Sequence, residues 1–216
     1  MNSLKKWGVA LVLAAMPAVL GGALPVQAAP EATLDSFVPG AGVDTIAPLK
    51  LKAKGADKTL QGGVAWDGYK LAASVRTEQG RIRDASLKGA LDNGLMGMIL
   101  SAMEEKGFVP AVAESDGTAA SLLDKTAEQS REAAVEAMGG WAGGGKKALK
   151  LLFLPEKAFQ GACAAFKADP KAPLAGILKP YAKEKGYGLV LLRRDDSFAV
   201  YVGTVEAAAE ALQIGR

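Results

Sequence analysis

The sequence YGLVLLRRDDSFAVYV, residues 187–202, gives the clearest structural signal in the chain. Two apolar runs, at 187–193 and 198–202, flank a short polar segment that contains two consecutive aspartates. Apolar runs of this length on either side of a short polar turn are typical of a β-hairpin. Thr204 follows as a candidate N-cap for an alanine-rich helix over 205–212, which we expect to pack on the hairpin.

The N-terminal third of the chain predicts a short β-meander. Leucines alternate with lysines over 49–54, and glycine-containing turn signals lie at 66–68 and 78–80. Alternation with a period of two is typical of strands with one solvated face. We therefore expect strands at 49–54, 69–76 and 81–87.

From Asp92 onward the spacing of apolar residues becomes helical. Leu95, Ile99 and Met103 recur at intervals of four. Asp92 can cap this helix and Gly107 can end it. The pattern then predicts a strand at 108–113 and further helices at 118–138, 147–154, 156–167 and 173–185, the last of them kinked or divided by Pro180. We therefore predict an α+β fold with a helical middle and a C-terminal hairpin packed with helices.

Two segments of the chain are similar to each other. Residues 95–116 and 174–195 both carry an apolar helical stretch, a glycine, an aromatic residue, a predicted strand and an acidic turn. Six of nine compared positions are identical at a spacing of 79 residues. The pattern fits a two-fold internal repeat, although glycine caps and aromatic packing also recur for general reasons.

The first 28 residues have the composition of an export signal. Two lysines precede the apolar run Trp7–Leu20, and the small residues of Val26–Ala28 fit a signal-peptidase site. Glycine and proline interrupt the apolar segment, which disfavours a membrane-spanning helix. We predict cleavage near Ala28/Ala29 and a periplasmic or secreted mature protein.

The remaining chain divides by composition and charge. Residues 29–46 are rich in proline, glycine and alanine and predict an extended lead-in. We expect 47–216 to form the α+β domain, which two sub-lobes joined near 139–147 would divide.

The two parts of the mature chain carry opposite net charges. Residues 29–145 hold 12 basic and 16 acidic residues, and residues 146–216 hold 12 basic and 7 acidic residues. Oppositely charged halves attract each other, within or between molecules, and a basic face could also contact anionic lipid headgroups.

Histidine is absent from the chain, which has a single cysteine. Without imidazole there is no Ser-His-Asp triad, no Cys-His pair and no histidine metal site. One thiol cannot build a zinc or iron-sulfur centre. The scattered lysines also lack the aromatic neighbours that stack nucleic-acid bases. We therefore predict no catalytic, cofactor-binding or metal-binding residues and no nucleic-acid partner.

The single cysteine, Cys163, lies on a predicted helix. Phe159 and Phe166 fall on the same helical face as its sulfur, which favours burial. The alternative is a thiol nucleophile, for which Lys167 is the one evident helper.

Two further patterns have a chemical and a structural interpretation. The segment GWAGGGKK at 140–147 is close to a phosphate-binding loop, but Lys147 replaces the required hydroxyl, and a hinge fits better. The acid pairs Glu104-Glu105 and Asp195-Asp196 fit a helix end and a hairpin tip better than an acid-base pair, because adjacent side chains point apart.

One segment is a candidate contact surface. Lys146, Lys147 and Lys150 accompany the apolar residues Leu151 and Phe153 in a predicted short helix. Such a helix could lie at a membrane interface, contact a protein partner, or belong to the core. These five residues are the candidate site for partner or peripheral membrane contact.

The C-terminal segment resembles a known family. Residues 182–191, AKEKGYGLVL, together with Val200-Tyr201-Val202, are similar to the tail of the periplasmic OmpH/Skp chaperone family. In that family the same helix, Gly-Tyr pair and two strands form part of a trimeric β body. The resemblance implies a holdase chaperone for envelope proteins. The long charged helical arms of the family have no counterpart in residues 92–170, which glycine and proline interrupt.

The sequence as a whole predicts an exported, non-catalytic periplasmic binding or interaction protein. Its partners are expected to be proteins of the cell envelope, and no cofactor is expected. The two alternatives are a holdase of the OmpH/Skp type and an enzyme with Cys163 as its nucleophile.

Overall fold

A computed structural model describes residues 29–54, 59–144, 146–193 and 195–214. The predicted leader lies outside these residues. In the described part of the chain, nine strands form one sheet in the order β1-β2-β3-β4-β9-β8-β7-β5-β6, and all neighbouring strands are antiparallel. Helices pack against the sheet, so the fold combines α and β structure as predicted.

The strands and helices have the following bounds. The strands are β1 (Lys52–Lys54), β2 (Thr59–Trp66), β3 (Tyr69–Glu78), β4 (Arg81–Ala90), β5 (Phe108–Ser115), β6 (Thr118–Ser121), β7 (Ala148–Pro155), β8 (Lys185–Leu192) and β9 (Ser197–Thr204). The α-helices are α1 (Asn93–Glu105), α2 (Ala127–Ala142), α3 (Glu156–Ala168), α4 (Leu174–Leu178) and α5 (Val205–Leu212). Short 3-10 helices lie at Leu34–Ser36, Val43–Leu49 and Lys179–Tyr181.

The predicted C-terminal hairpin is confirmed and lies in the middle of the sheet. β8 and β9 pair from Lys185↔Thr204 to Leu192↔Ser197, while β7 and β4 pair with their outer edges. Thr204 caps α5 as expected, since its hydroxyl accepts a hydrogen bond from the backbone N–H of Ala207 at 3.2 Å. Burial on both faces explains why the apolar runs of these strands are nearly continuous.

Two hydrophobic cores lie on opposite faces of the sheet, and β7 contributes to both. Leu149, Leu151 and Phe153 belong to the core that also contains residues of α1 and α2. Leu152 and Leu154 belong to the core that contains residues of α3, α4 and α5. This alternation follows from the period of two of a β-strand.

The N-terminal segment departs from the extended lead-in expected for 29–46. It contains two 3-10 helices, and Leu34, Phe37 and Ile46 are buried in the core over β2 to β4. Glycine and proline hide this role in the sequence because they remove any regular apolar period.

The helix predicted at 147–154 is wrong, because these residues form strand β7. β7 lies between β5 and β8, with Leu152 opposite Gly188 on one side and Val112 on the other. An apolar run of this length fits a doubly buried strand as well as a helix, and only the tertiary pairing decides between them.

The helix predicted at 118–138 begins later than expected. Asp116 and Gly117 have left-handed φ angles of 50° and 83°, which is the geometry of a two-residue hairpin turn, and the chain therefore continues into β6. α2 starts only at Ala127, where Thr126 and Gln129 form a capping box.

The predictions for α1 and for the division of the segment at Pro180 are confirmed. Asp92 accepts a hydrogen bond from the backbone N–H of Leu95 at 2.9 Å, and Gly107 follows the helix with φ of 73°. The glycine at the corresponding position of the second similar segment, Gly186, differs. It lies inside β8, where a Cβ atom would approach the Cα atom of Val205 to 2.9 Å. The two glycines thus serve different structural purposes.

Candidate functional site

The five predicted contact residues do not share one surface. Lys146 and Lys147 are exposed just before β7, whereas Leu151 and Phe153 are buried in the sheet core. The backbone N–H of Lys147 donates to the Asp116 carboxylate at 2.9 Å. Of these four residues, only the two leading lysines are exposed to a partner.

Lys150, the fifth predicted contact residue, forms a cross-strand ion pair. Its ammonium lies 2.6 Å from the carboxylate of Glu114 on β5, and the two residues are opposite each other in the β5–β7 register. Since the side chain of Glu114 is only 7% exposed, Lys150 balances a nearly buried charge.

Cys163 lies on α3 in the second core, together with Phe159. Burial raises the pKa of the Cys163 thiol; Lys167 lowers it and Asp124 raises it. The sulfur lies 3.9 Å from the backbone carbonyl of Lys125. This environment disfavours the thiolate that a nucleophile requires.

The remaining sequence patterns occupy surface positions. Glu104 and Glu105 are exposed at the end of α1, and Asp195 and Asp196 are exposed in the β8–β9 turn. The glycine-rich stretch begins in the last turn of α2, which ends at Ala142, and leads into strand β7. A phosphate-binding loop has the opposite order, from strand to helix.

A charged cluster ties the N-terminal segment to the sheet. Asp35 accepts a hydrogen bond from Lys106, which holds the pKa of the Asp35 carboxyl below its ordinary value, and Lys185 lies 3.7 Å away. Burial lowers the pKa of Lys185, whose ammonium lies 5.2 Å from the centre of the Tyr187 ring. The cluster joins the N-terminal segment to the ends of α1 and β8.

The most distinctive surface feature is an apolar cleft between α1 and α2. It has a volume of about 70 Å³, and its apolar lining is contributed by α1, β5, α2 and β7: Leu100, Phe108, Pro110, Ala134, Val135, Met138 and Phe153. Val135 is 62% exposed, and Val38, at 45%, is the only other exposed large apolar side chain in the part of the chain that the structure describes. Single exposed apolar side chains are common on protein surfaces, so the concave apolar lining beside Val135, rather than its exposure alone, marks the candidate binding site.

Two charged residues, Arg131 and Glu104, also line the cleft. Arg131 Nε on α2 lies 3.5 Å from Glu104 Oε1 on α1. This Nε atom is buried and has no hydrogen-bond partner among the described residues, so the contact is an ion pair without hydrogen-bond geometry. A buried donor of this kind is uncommon in folded proteins.

Sequence reasoning missed this cleft for an identifiable reason. In the helix predicted over 118–138, Ala134, Val135 and Met138 follow the apolar spacing of a buried stripe, and Arg131 falls among charged residues. The structure instead exposes Val135 and partly buries Arg131. The signal that could have found the cleft is the contact between α1 and α2, which no local pattern contains.

Comparisons with known proteins identify no relative of this chain. No protein-family model matches the chain, and neither a curated protein nor a solved structure matches it. Among the described residues, no group of three or more potential metal-ligating side chains is close enough to hold an ion. The described helices include none that is both long enough and apolar enough to cross a membrane.

Proposed function

We propose that this chain is an exported, non-catalytic binding protein that holds an apolar side chain of a protein partner in the cleft between α1 and α2. The observation that carries the proposal is Val135, which is 62% exposed beside a cleft lined mainly by apolar residues. Solvation of such a surface is unfavourable, and burial by a partner would remove that cost.

The size of the cleft supports a single anchoring side chain as its occupant. Pockets for drug-sized ligands have volumes of about 300–1,000 Å³. The cleft has about 70 Å³, and a water molecule needs roughly 10–15 Å³ of such space. A few water molecules or one side chain fit, whereas a cofactor does not. Anchor residues of this kind dominate the energetics of many protein interfaces.

Export and binding without catalysis are supported by sequence composition. The first 28 residues have the lysines, apolar run and small residues of a cleavable leader. The chain has no histidine, and its single thiol is buried, so mechanisms that depend on imidazole or on an accessible thiolate lack their reactive group.

Site-specific photocrosslinking in cells tests the proposal. A photoreactive amino acid at position 135 of the full chain is expected to crosslink one partner protein, because this side chain would lie at the interface. The matched control carries the same group at Lys157, which is exposed on α3. Fractionation of the same cells reports the compartment. Equal crosslinking from both positions would refute the cleft, and an uncleaved chain in the cytoplasm would refute export.

A holdase function is a second candidate, based on the resemblance of 182–202 to the OmpH/Skp tail. It requires suppression of the aggregation of an unfolded outer-membrane protein and a trimer in solution. A monomer that is inactive in this assay would eliminate the candidate without affecting the cleft proposal.

A further inference from the structure

The two edges of the sheet differ in their protection against pairing. At one edge, β1 carries the exposed residues Lys52 and Lys54, and edge lysines discourage the addition of another strand. At the other edge, β6 consists of Thr118, Ala119, Ala120 and Ser121, which include no charged residue and no proline. β6 is therefore the less protected edge of the sheet.

The hairpin geometry directs part of the β6 backbone outward. The two-residue turn makes Ser115 and Thr118 the closing hydrogen-bonded pair, and hydrogen-bonded pairs then alternate along the strands. The bond from the N–H of Leu122 to the carbonyl of Ala111 agrees with this alternation. The N–H and C=O groups of Ala119 consequently point away from β5 to the open edge.

A hollow of about 420 Å³ lies beside this edge. It extends over the face of β6, β5 and β7, and its lining residues are Thr118, Ala120, Ala113, Ser115, Asp116, Leu149, Ala137 and Lys146. Thr118 and Ala120 are paired with Ser115 and Ala113, and Ala113 belongs to the core on the α2 side of the sheet. The hollow is therefore on that same side, where every second side chain of an added strand would point.

The size of the hollow identifies the kind of occupant. A second copy of the chain, paired through its own β6, would present only threonine and alanine side chains to this space. These are too small to fill about 420 Å³. Asp116 also lines the hollow, but its carboxylate accepts hydrogen bonds from the backbone N–H groups of Lys147 and Ala148. Lys146 lines the hollow and Lys147 is exposed next to it, so the two ammonium groups outnumber this carboxylate and favour an acidic residue in the occupant.

We propose that β6 binds an extended segment of a partner protein by β-strand addition. The backbone of Ala119 pairs with the added strand, alternate apolar side chains of that strand fill the hollow, and an acidic residue of the strand lies near Lys146. This recognition mode takes affinity from the backbone and specificity from the pocket. The site is separate from the α1–α2 cleft and does not depend on it.

A displayed library of random seven-residue peptides tests the proposal with the purified protein. Binders selected on the protein are synthesised, and their affinity is measured for the parent and for Ala119→Pro. Proline at an outward-facing edge position removes the outward donor but spares the β5 ladder. We expect a loss of affinity of up to about tenfold, because the outward N–H of residue 119 is lost and a carbonyl of the added strand is left unpaired. Ala53→Pro on the opposite edge is the matched control and is expected to bind as the parent does.

Two further measurements keep the proposal testable if Ala119→Pro does not fold. Ala120→Leu, which partly fills the hollow, should weaken the binding of the selected peptides. Each peptide is also made in two N-methylated forms, methylated on either the odd or the even residues. Only the form that keeps the N–H groups facing β6 should bind. The proposal would be overturned if every selected peptide bound Ala119→Pro and Ala120→Leu as tightly as it binds the parent. A dimer that Ala119→Pro abolishes would also overturn it, since the occupant would then be a second copy. Val135→Glu should leave peptide binding at β6 unchanged, which separates this site from the cleft.

Discussion

The ammonium of Lys150 lies 2.6 Å from the carboxylate of Glu114, and this pair joins β7 to β5 across 36 positions of the chain. Glu114 is in the acidic half of the sequence and Lys150 is in the basic half. Asp35 and Lys185 make a second, longer contact between the two halves, at 3.7 Å. The opposite charges of the halves are thus used at least in part within one molecule.

Lys150→Met is expected to destabilise the protein strongly. The substitution leaves Glu114 nearly buried without its counter-charge, and breaking such a pair costs about 3 kcal/mol. The double variant Glu114→Leu/Lys150→Met removes both charges and should recover most of that loss. Urea unfolding of the parent, both single variants and the double variant measures the coupling. Equal destabilisation by Lys150→Met and by the double variant would show that the unpaired charge of Glu114 is not the cause of the loss.

Val135→Glu is expected to weaken partner binding without destabilising the fold. The side chain is 62% exposed, so the free energy of unfolding should change by no more than about 0.5 kcal/mol. The introduced charge would oppose burial beside the apolar cleft and should reduce the amount of the partner, once crosslinking from position 135 has identified it, that co-purifies with the variant. The matched control is Val38→Glu, at the other exposed large apolar position. A similar reduction by both variants would point to a general effect of surface charge.

The parts of the fold that the sequence predicts well depend on local interactions. The hairpin over 187–202 and the helix that begins after Asp92 carry turn residues, caps and apolar spacing within a few positions of each other. The failure at β7 involves partners distant in sequence, whereas the late start of α2 follows from the local turn at Asp116-Gly117 and the local capping box of Thr126 and Gln129. β7 could be recognised as a strand only from its pairing with β5 and β8, because burial on both faces removes the alternation.

The candidate sites were less predictable than the fold. Lys150 was expected at a contact surface, but its partner is Glu114 on another strand. The cleft needs α1 and α2 side by side, and the edge of β6 needs the complete strand order. Lys146 and Lys147, by contrast, stand out in the sequence as lysines next to an apolar run, and both are exposed at or next to the hollow.

Asp35→Asn is expected to reduce stability in a pH-dependent manner. The hydrogen bond from Lys106 lowers the folded pKa of Asp35 below 3.8, its value in an unfolded chain. A lowered carboxyl pKa stabilises the folded state above pH 3.8, and this contribution is lost as the pH falls through the folded value. The free energy difference between parent and variant should therefore be constant at neutral pH and shrink below about pH 4. A difference that persists unchanged at lower pH would exclude this ion-pair contribution.

Tyr187→Phe is expected to leave the protein as stable as before or slightly more stable. The Tyr187 ring packs edge-on against Phe108, with ring centres 4.5 Å apart, and phenylalanine preserves this contact. The hydroxyl is buried and has no hydrogen-bond partner among the described residues, and burial raises its pKa. Because an unpaired buried hydroxyl is itself destabilising, its removal should change the free energy of unfolding by between zero and about +1 kcal/mol. The control is Tyr201→Phe, since Tyr201 is a partly exposed residue of β9. A loss of stability well beyond that of the control would mean that the Tyr187 hydroxyl makes a stabilising bond.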